Sequence, residues 1–165
     1  MRCESQLKLA KEVFMTVQTT TGISVSIADA LPATEDLAGY EALTFVEIEE
    51  ALTVPAFGAN TDIVTYTPLK DGIVRKAKGA INYGSQSIVT VLDTGGAGQA
   101  IVIEASEGTT RRTARTIKLE YPAGEVRYYQ AFVMSSEEDP GSDGEMIGFN
   151  INLEINSPIL RVAAA

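Results

Sequence analysis

The stretch "MIGFNINLEIN", residues 146–156, alternates without a break. Ile147, Phe149, Ile151, Leu153 and Ile155 fall on one side, and Gly148, Asn150, Asn152 and Glu154 on the other. A period of two marks a β-strand with one buried and one wet face. Working outward, "GISVSI" (22–27) repeats the pattern, with Ile23, Val25 and Ile27 set against Ser24 and Ser26. "LTFVEIE", "DIVTYTPL", "QSIVTVLD", "RTIKLEY" and "EVRYYQAFVMSS" are also rich in β-branched or aromatic residues and end in turn formers, which brings the set to about seven strands. "YPAGE" (121–125) joins two of them as a tight hairpin, with Gly124 free to take positive φ. One segment reads differently. "DTGGAGQAIVIEASEG" (93–108) predicts a short helix capped by Asp93 or Thr94 and closed at Gly108, with Ala97, Ile101 and Ala105 at helical spacing. The expected fold is mainly β (α+β), a β-sandwich or partial barrel of about seven strands flanked by one short helix.

At 165 residues the chain is long enough for one domain with a real core, and no internal repeat or linker divides residues 19–165. The composition excludes more chemistry than it suggests. There is no histidine, so the Ser-His-Asp and Cys-His arrangements, the His-containing zinc sites and the usual base near neutral pH are all missing. The single cysteine, Cys3, allows no intramolecular disulfide and no thiolate cluster. No cofactor and no metal is expected, and a non-enzymatic role becomes the leading reading. A net charge of −9 opposes nucleic-acid binding over the whole surface. No apolar run approaches the roughly 20 residues of a membrane-spanning helix, so no membrane anchor is expected.

Four motifs ask for a partner. "TGGAGQ" (94–99) is glycine-rich but lacks the Lys-Ser/Thr of a P-loop, and so reads as a strand-to-helix turn. "SSEEDPGSDGE" (135–145) gathers acids at a Pro-Gly turn without the spacing of a calcium loop, which suits a solvated hairpin tip. "TTRRTAR" offers Arg111, Arg112 and Arg115 as ion-pair candidates toward an acidic surface of another subunit. The run "IVTYTPLKDGIVRKAKGAINYG" (63–84) is the most unusual. It packs Lys70, Arg75, Lys76 and Lys78 into an acidic chain, opposed locally only by Asp71. Beside Tyr66 and Tyr83 such a cluster fits nucleic acid, a solvated loop, or an acidic patch on an identical subunit. The last arrangement builds rings or open stacks.

Taken in order, these features resemble the major tail tube protein of long, flexible-tailed bacteriophages. The likeness rests on "GISVSIADALPATEDLAGYEALTFVEIEE", "VTYTPLKDGIVRKAKGAINYG", "LDTGGAGQAIVIEAS", "IKLEYPAGEVRYYQAFVMSS" and "INLEINSPILRV", and spans residues 20–162. It implies a tail-tube-like β-sandwich whose subunits form hexameric rings that stack into a hollow tube. Each subunit would lend about four strands, near 43–50, 62–67, 126–136 and 146–155, to an inner barrel far wider than the roughly 16–18 strands that already leave a channel. On those strands Glu47, Glu49, Asn150, Asn152 and Glu154 become candidates to face the lumen. Carboxylates and phosphates repel within a Debye length of about 8 Å, so genomic DNA would pass such a wall without specific binding. The resemblance also implies that a loop at 68–80 reaches the adjacent ring, with Asp71 among its contact residues, Lys70, Arg75, Lys76 and Lys78 meeting acids between 35 and 50, and Gly72 and Gly79 letting it bend. Implied partners are further copies of the chain, a tape measure protein, a tail terminator and tail-tip proteins, and the implied place is the virion tail, after synthesis in the host cytoplasm.

Rival readings stay open: a tail terminator or secreted needle-tube ring protein of the same fold, a glycan-binding β-sandwich module, or a carboxylate-dependent hydrolase. The absence of Trp weakens the glycan reading. Residues 1–18 are expected to form an N-terminal arm. "LKLAKEVF" has helical character, and Lys11-Glu12-Val13 is compatible with a purine-rich, ribosome-binding type of codon run that would start the mature chain at Met15.

Overall fold

The structure, a computed structural model, describes residues 19–164. Cys3, the "LKLAKEVF" segment, Met15 and the rest of the expected arm lie outside the described residues. Ten strands and two helices follow one another as β1 (Ser24–Ala28), α1 (Leu37–Glu41), β2 (Val46–Glu47), β3 (Ala51–Thr53), β4 (Asn60–Tyr66), β5 (Arg75–Asn82), β6 (Ser85–Val91), α2 (Ala97–Glu107), β7 (Arg115–Glu120), β8 (Val126–Asp139), β9 (Gly148–Ile155) and β10 (Leu160–Val162).

Eight strands form one antiparallel sheet in the order β2-β1-β7-β8-β9-β6-β3, with β10 beside the first half of β8. β2 and β3 stand at opposite ends of that order yet are separated by only the three residues Ile48–Glu50. The segment pairs Val46 and Glu47 with β1, then Ala51 and Thr53 with β6. Amide bonds Ile48 N–H to Val25 O (2.8 Å) and Val91 N–H to Glu50 O (3.0 Å) join the two halves. The sheet thus curls until one stretch of chain serves both its edges, which removes most of the edge liability within the subunit. Glu50 makes the switch at φ 55°, the only positive φ outside glycine among the described residues.

The expected alternation is what fills the curl. Val25, Ile27, Ile88, Ile117, Leu119, Tyr129, Ala131, Val133, Phe149, Ile151 and Leu153 all point inward and are buried. α2 lies against this core through Val102 and Ala105. The buried Tyr129 and Gln86 side chains satisfy each other and the backbone: the Tyr129 hydroxyl donates to Gln86 Oε1, and Gln86 Nε2 to the Pro55 carbonyl (3.1 Å). The hairpin at "YPAGE" forms as expected. Gly124 sits at φ 87°, and its N–H bonds Tyr121 O (2.9 Å) while Tyr121 N–H bonds Glu125 O (2.8 Å).

Four details add to or correct these expectations. First, a five-residue helix, α1, accompanies the expected flanking helix among the described residues. α1 is nucleated by Asp36, whose side chain accepts the Gly39 N–H (2.9 Å), and it lays Tyr40 on Tyr128 with ring centroids 5.2 Å apart. Second, α2 is capped by Gly96, not by Asp93 or Thr94. Asp93 instead accepts the Gly95 N–H (2.9 Å), a local turn that competes with capping. Gly108 ends the helix in extended geometry, φ −74°. Third, "LTFVEIE" yields only the two-residue β2. Fourth, the expected loop 68–80 is a loop only over 68–74: 75–82 is a strand, paired with β4.

Candidate functional site

Two surfaces outside the core carry the candidate residues, a polar sheet face and a projecting arm. On the outer face of β6, β9 and the distal half of β8, the registers set three rows: Val89–Asn150–Glu137, Ser87–Asn152–Ser135 and Ser85–Glu154–Phe132. Asn152 Nδ2 donates to Ser135 Oγ (2.7 Å), tying two strands across the middle row. None of β6, β9 or residues 132–139 contains a lysine or arginine. The structure therefore brings Asn150, Asn152 and Glu154 together with Ser85, Ser87, Ser135 and Glu137, a set that alternation in β6 and β8 could have supplied had the register been known. Glu47 stands apart, opposite Ser26 at the far end of the sheet. The strand expected near 62–67 forms as 60–66 and lies in the arm, outside the main sheet.

The arm is the two-stranded sheet β4–β5, separate from the main sheet. It continues the β3/β6 pair outward through residues 54–59 on one side and Tyr83–Gly84 on the other. At about 3.4 Å per residue the eight residues of β5 extend about 27 Å. Cross-strand pairs Ile63↔Lys78 and Thr65↔Lys76 share one face, and Val64↔Ala77 and Tyr66↔Arg75 share the other. The cation cluster is therefore split by strand geometry. Lys76 and Lys78 stand side by side, whereas Arg75 is turned away and held by Asp71 (2.6 Å). Lys70 sits at the tip, where Gly72 turns at φ 63°. Gly79 is not a free hinge. It lies at a bulge where a Cβ would come within 2.9 Å of Val64 Cγ2.

Neither face of the arm is buried. Ile63 (69%), Tyr66 (53%), Ile73, Val74 and Ile81 are largely exposed, and Leu69 is fully so. A two-stranded hairpin alone is marginal in water, and this many exposed apolar side chains gathered on one element mark an interaction site. Both outer edges of the arm lack a strand partner among the described residues.

The three arginines separate. Arg111 and Arg112 are exposed. Arg115 is only 2% exposed: it donates to Thr110 Oγ1 (2.6 Å), and its Nε lies 2.8 Å from Asp29 Oδ1, an ion pair by distance though outside hydrogen-bond alignment. Its charge is used inside the subunit, which removes it from the inter-subunit candidates.

The glycine-rich turn also has an internal purpose. A Cβ on Gly98 would fall 2.8 Å from Glu47 C and 3.0 Å from Ile48 Cα, so glycine is what lets α2 approach the segment that closes the sheet. Gln99 clasps the end of β6 from that turn, with Nε2 to Val91 O (2.7 Å) and Oε1 accepting from Asp93 N–H (3.0 Å). Glu49 lies at the same end. The Asp93 carboxylate hydrogen-bonds and repels it, with Glu47 and Glu50 adding to the repulsion, which holds its carboxyl above the ordinary range. Among the described residues no cluster of acids has a metal-holding arrangement.

No protein-family model matches the chain, and no curated protein sequence does. Solved structures share its fold. A chain of the extended-state sheath–tube complex of an extracellular contractile injection system (PVC) aligns with TM-score 0.65 at 13% identity, over 92% of this chain and 95% of that one. A chain in the tail of an empty gene transfer agent particle, refined with C6 symmetry, aligns with TM-score 0.60 at 16% identity, over 89% and 100%. The SPP1 tail tube aligns with TM-score 0.57 at 12% identity, over 86% and 76%. At such identities the likeness establishes the fold, a mainly β, tail-tube-like partial barrel with a flanking helix.

Proposed function

We propose that this chain is the structural subunit of a phage-type tail tube, closing into hexameric rings that stack into a hollow conduit for DNA in the virion tail. The observation that carries this reading is the β4–β5 arm: open on both edges, with exposed apolar and cationic side chains on its faces, and attached to a sheet most of whose own edge is served by the β2–β3 segment. Such an element completes its bonding only on another molecule, and an acidic protein with cations on that element suits a copy of itself. The neutral and acidic rows on β6, β9 and distal β8 fit the bore. A cationic wall would release counterions and hold duplex DNA, whereas amides, hydroxyls and carboxylates give it nothing to grip. The arm tip, with Leu69 and Lys70, serves the contact between rings, and Arg111 and Arg112 serve contacts between subunits. No catalytic step or cofactor enters this role. Its partners are other copies, a tape measure protein, a terminator and tail-tip proteins, and a long flexible (siphovirus-type) tail is the assembly that the sequence resembles.

Negative-stain microscopy of the concentrated purified protein tests the proposal. Tubes of stacked rings are expected. Discrete rings that never stack would instead favour a terminator, and a monomer at every concentration would reject the reading.

A further inference from the structure

The main sheet has two unlike ends. β6 pairs antiparallel with β9 from Ser85↔Glu154 to Val91↔Gly148, and the arm leaves β6 at its Ser85 end. The β8–β9 turn lies past Gly148 at the other end, about 20 Å away along the strands. That far end is acidic. Glu137, Glu138, Asp139, Asp143 and Glu145 sit on or beside the β8–β9 turn, and none of them lies inside the core. The β2–β3 switch brings Glu49 and Glu50 to the same end, since Glu50 O accepts from Val91 N–H and Asp93 faces Glu49. Apolar side chains are exposed there as well: Met146 (78%) and Ile147. The arm carries the opposite charge with the same apolar content: Lys70, Lys76 and Lys78 with Ile63, Leu69, Ile73 and Ile81.

From this pairing of ends we infer that the arm of one copy docks on the β8–β9 turn of a copy in the next ring, with Lys76 and Lys78 opposite Glu137–Asp139 and the arm's apolar residues covering Met146 and Ile147. The inference rests on the tube reading and names the joint that stacks the rings. It shifts the expected partner acids from 35–50 to the β8–β9 turn, with Glu49 and Glu50 at its margin. Because the two patches differ, each joint leaves a free arm at one end of the stack and a free acidic turn at the other. Growth is therefore head-to-tail and open-ended. Charge fixes the orientation, since arm against arm or turn against turn places like charges together.

Two charge-reversed proteins test it by microscopy and sedimentation. One is K76E/K78E and the other E138K/D139K, each checked for wild-type circular dichroism. Neither should stack alone, with the assembly concentration raised at least ten-fold. Mixed one to one they should give tubes of alternating rings, because each arm then meets a turn of opposite sign. Normal tubes from K76E/K78E alone would overturn the joint while leaving the tube reading intact, as would folded variants that fail to assemble on mixing. Wild-type tubes supply a second measurement that needs no variant. Raising sodium chloride from about 0.1 M to 1 M shortens the Debye length from about 10 to 3 Å, and tubes that form equally well at both would also overturn the joint. A wild-type protein that never forms tubes would sink the tube reading itself.

Discussion

Gly98→Ala is the sharpest test of how α2 and the closing segment hold the subunit together. The added methyl would stand 2.8 Å from Glu47 C and 3.0 Å from Ile48 Cα, and nearer still to the Glu47 carbonyl oxygen. Non-bonded contacts to carbon normally settle at about 3.5–4.0 Å, and the carbonyl oxygen is the tightest of the three neighbours, so helix and strand must part by about 1 Å or more. All three neighbours are backbone, so no side-chain rotation relieves the clash. Overpacking of this kind costs about 1–3 kcal/mol, and replacing glycine inside a helix returns at most about 1 kcal/mol. With all three contacts to backbone the cost falls at the upper end, so the net loss is about 2 kcal/mol, which for a chain of this size lowers the melting midpoint by about 4–8 °C. Urea and thermal unfolding of the soluble subunit, followed by circular dichroism, measure it directly. Gly95→Ala is the control, since its nearest neighbour, Asp93 Oδ1, would lie at an ordinary 3.5 Å. A Gly98→Ala subunit as stable as wild type, or more so, would refute the argument.

Three further outcomes are expected. Arg115→Ala should lower subunit stability by about 2–4 kcal/mol in urea, because a buried side chain and its bond to Thr110 are lost, whereas Arg111→Glu with Arg112→Glu should stay within about 0.5 kcal/mol. The pH dependence has two signs. Glu49, raised above its ordinary 4.5, binds its proton in the folded state first, so stability rises as pH falls from the folded value toward 4.5, and Asp93→Asn should flatten that rise. Asp36, held below its ordinary 3.8 by its bonds from Thr34 and Gly39, gives the reverse: stability falls as pH drops below 3.8, visible in urea midpoints at successive pH values. Asn150→Lys with Asn152→Lys should leave assembly intact but make the tubes retain duplex DNA at low salt and release it at high salt, read by co-sedimentation.

The parts of the fold legible from the sequence are those where one face is buried. Alternation in 146–156 and 22–27 survives intact as β9 and β1 because a core pulls on every second residue. β5 was missed for the complementary reason. "RKAKGAIN" buries nothing, is rich in residues depleted from strands, and takes its conformation from pairing with β4 alone. α1 was missed because a five-residue helix offers no period, although Asp36 ahead of "LAGY" is a capping signal. The lumen candidates on β9 were readable one strand at a time. Their companions Ser85, Ser87, Ser135 and Glu137 depend on register and on the bulge between Val133 and Ser135, which no single strand encodes. Arg115 looked like its exposed neighbours because nothing local distinguishes a guanidinium that turns inward toward Asp29.

The eight residues from Val46 to Thr53 act as a buckle fastened to both margins of the sheet. Neither margin can peel away alone, since lifting Val46 from Ile27 pulls through four residues on Ala51 and its hold on Thr90. Opening is then a single event that frees both sides together, and amide exchange along β1 and β6 should slow or quicken in step. A subunit built this way withstands tension without fraying, a property the proposed stacked tube would draw on wherever one copy pulls against the next.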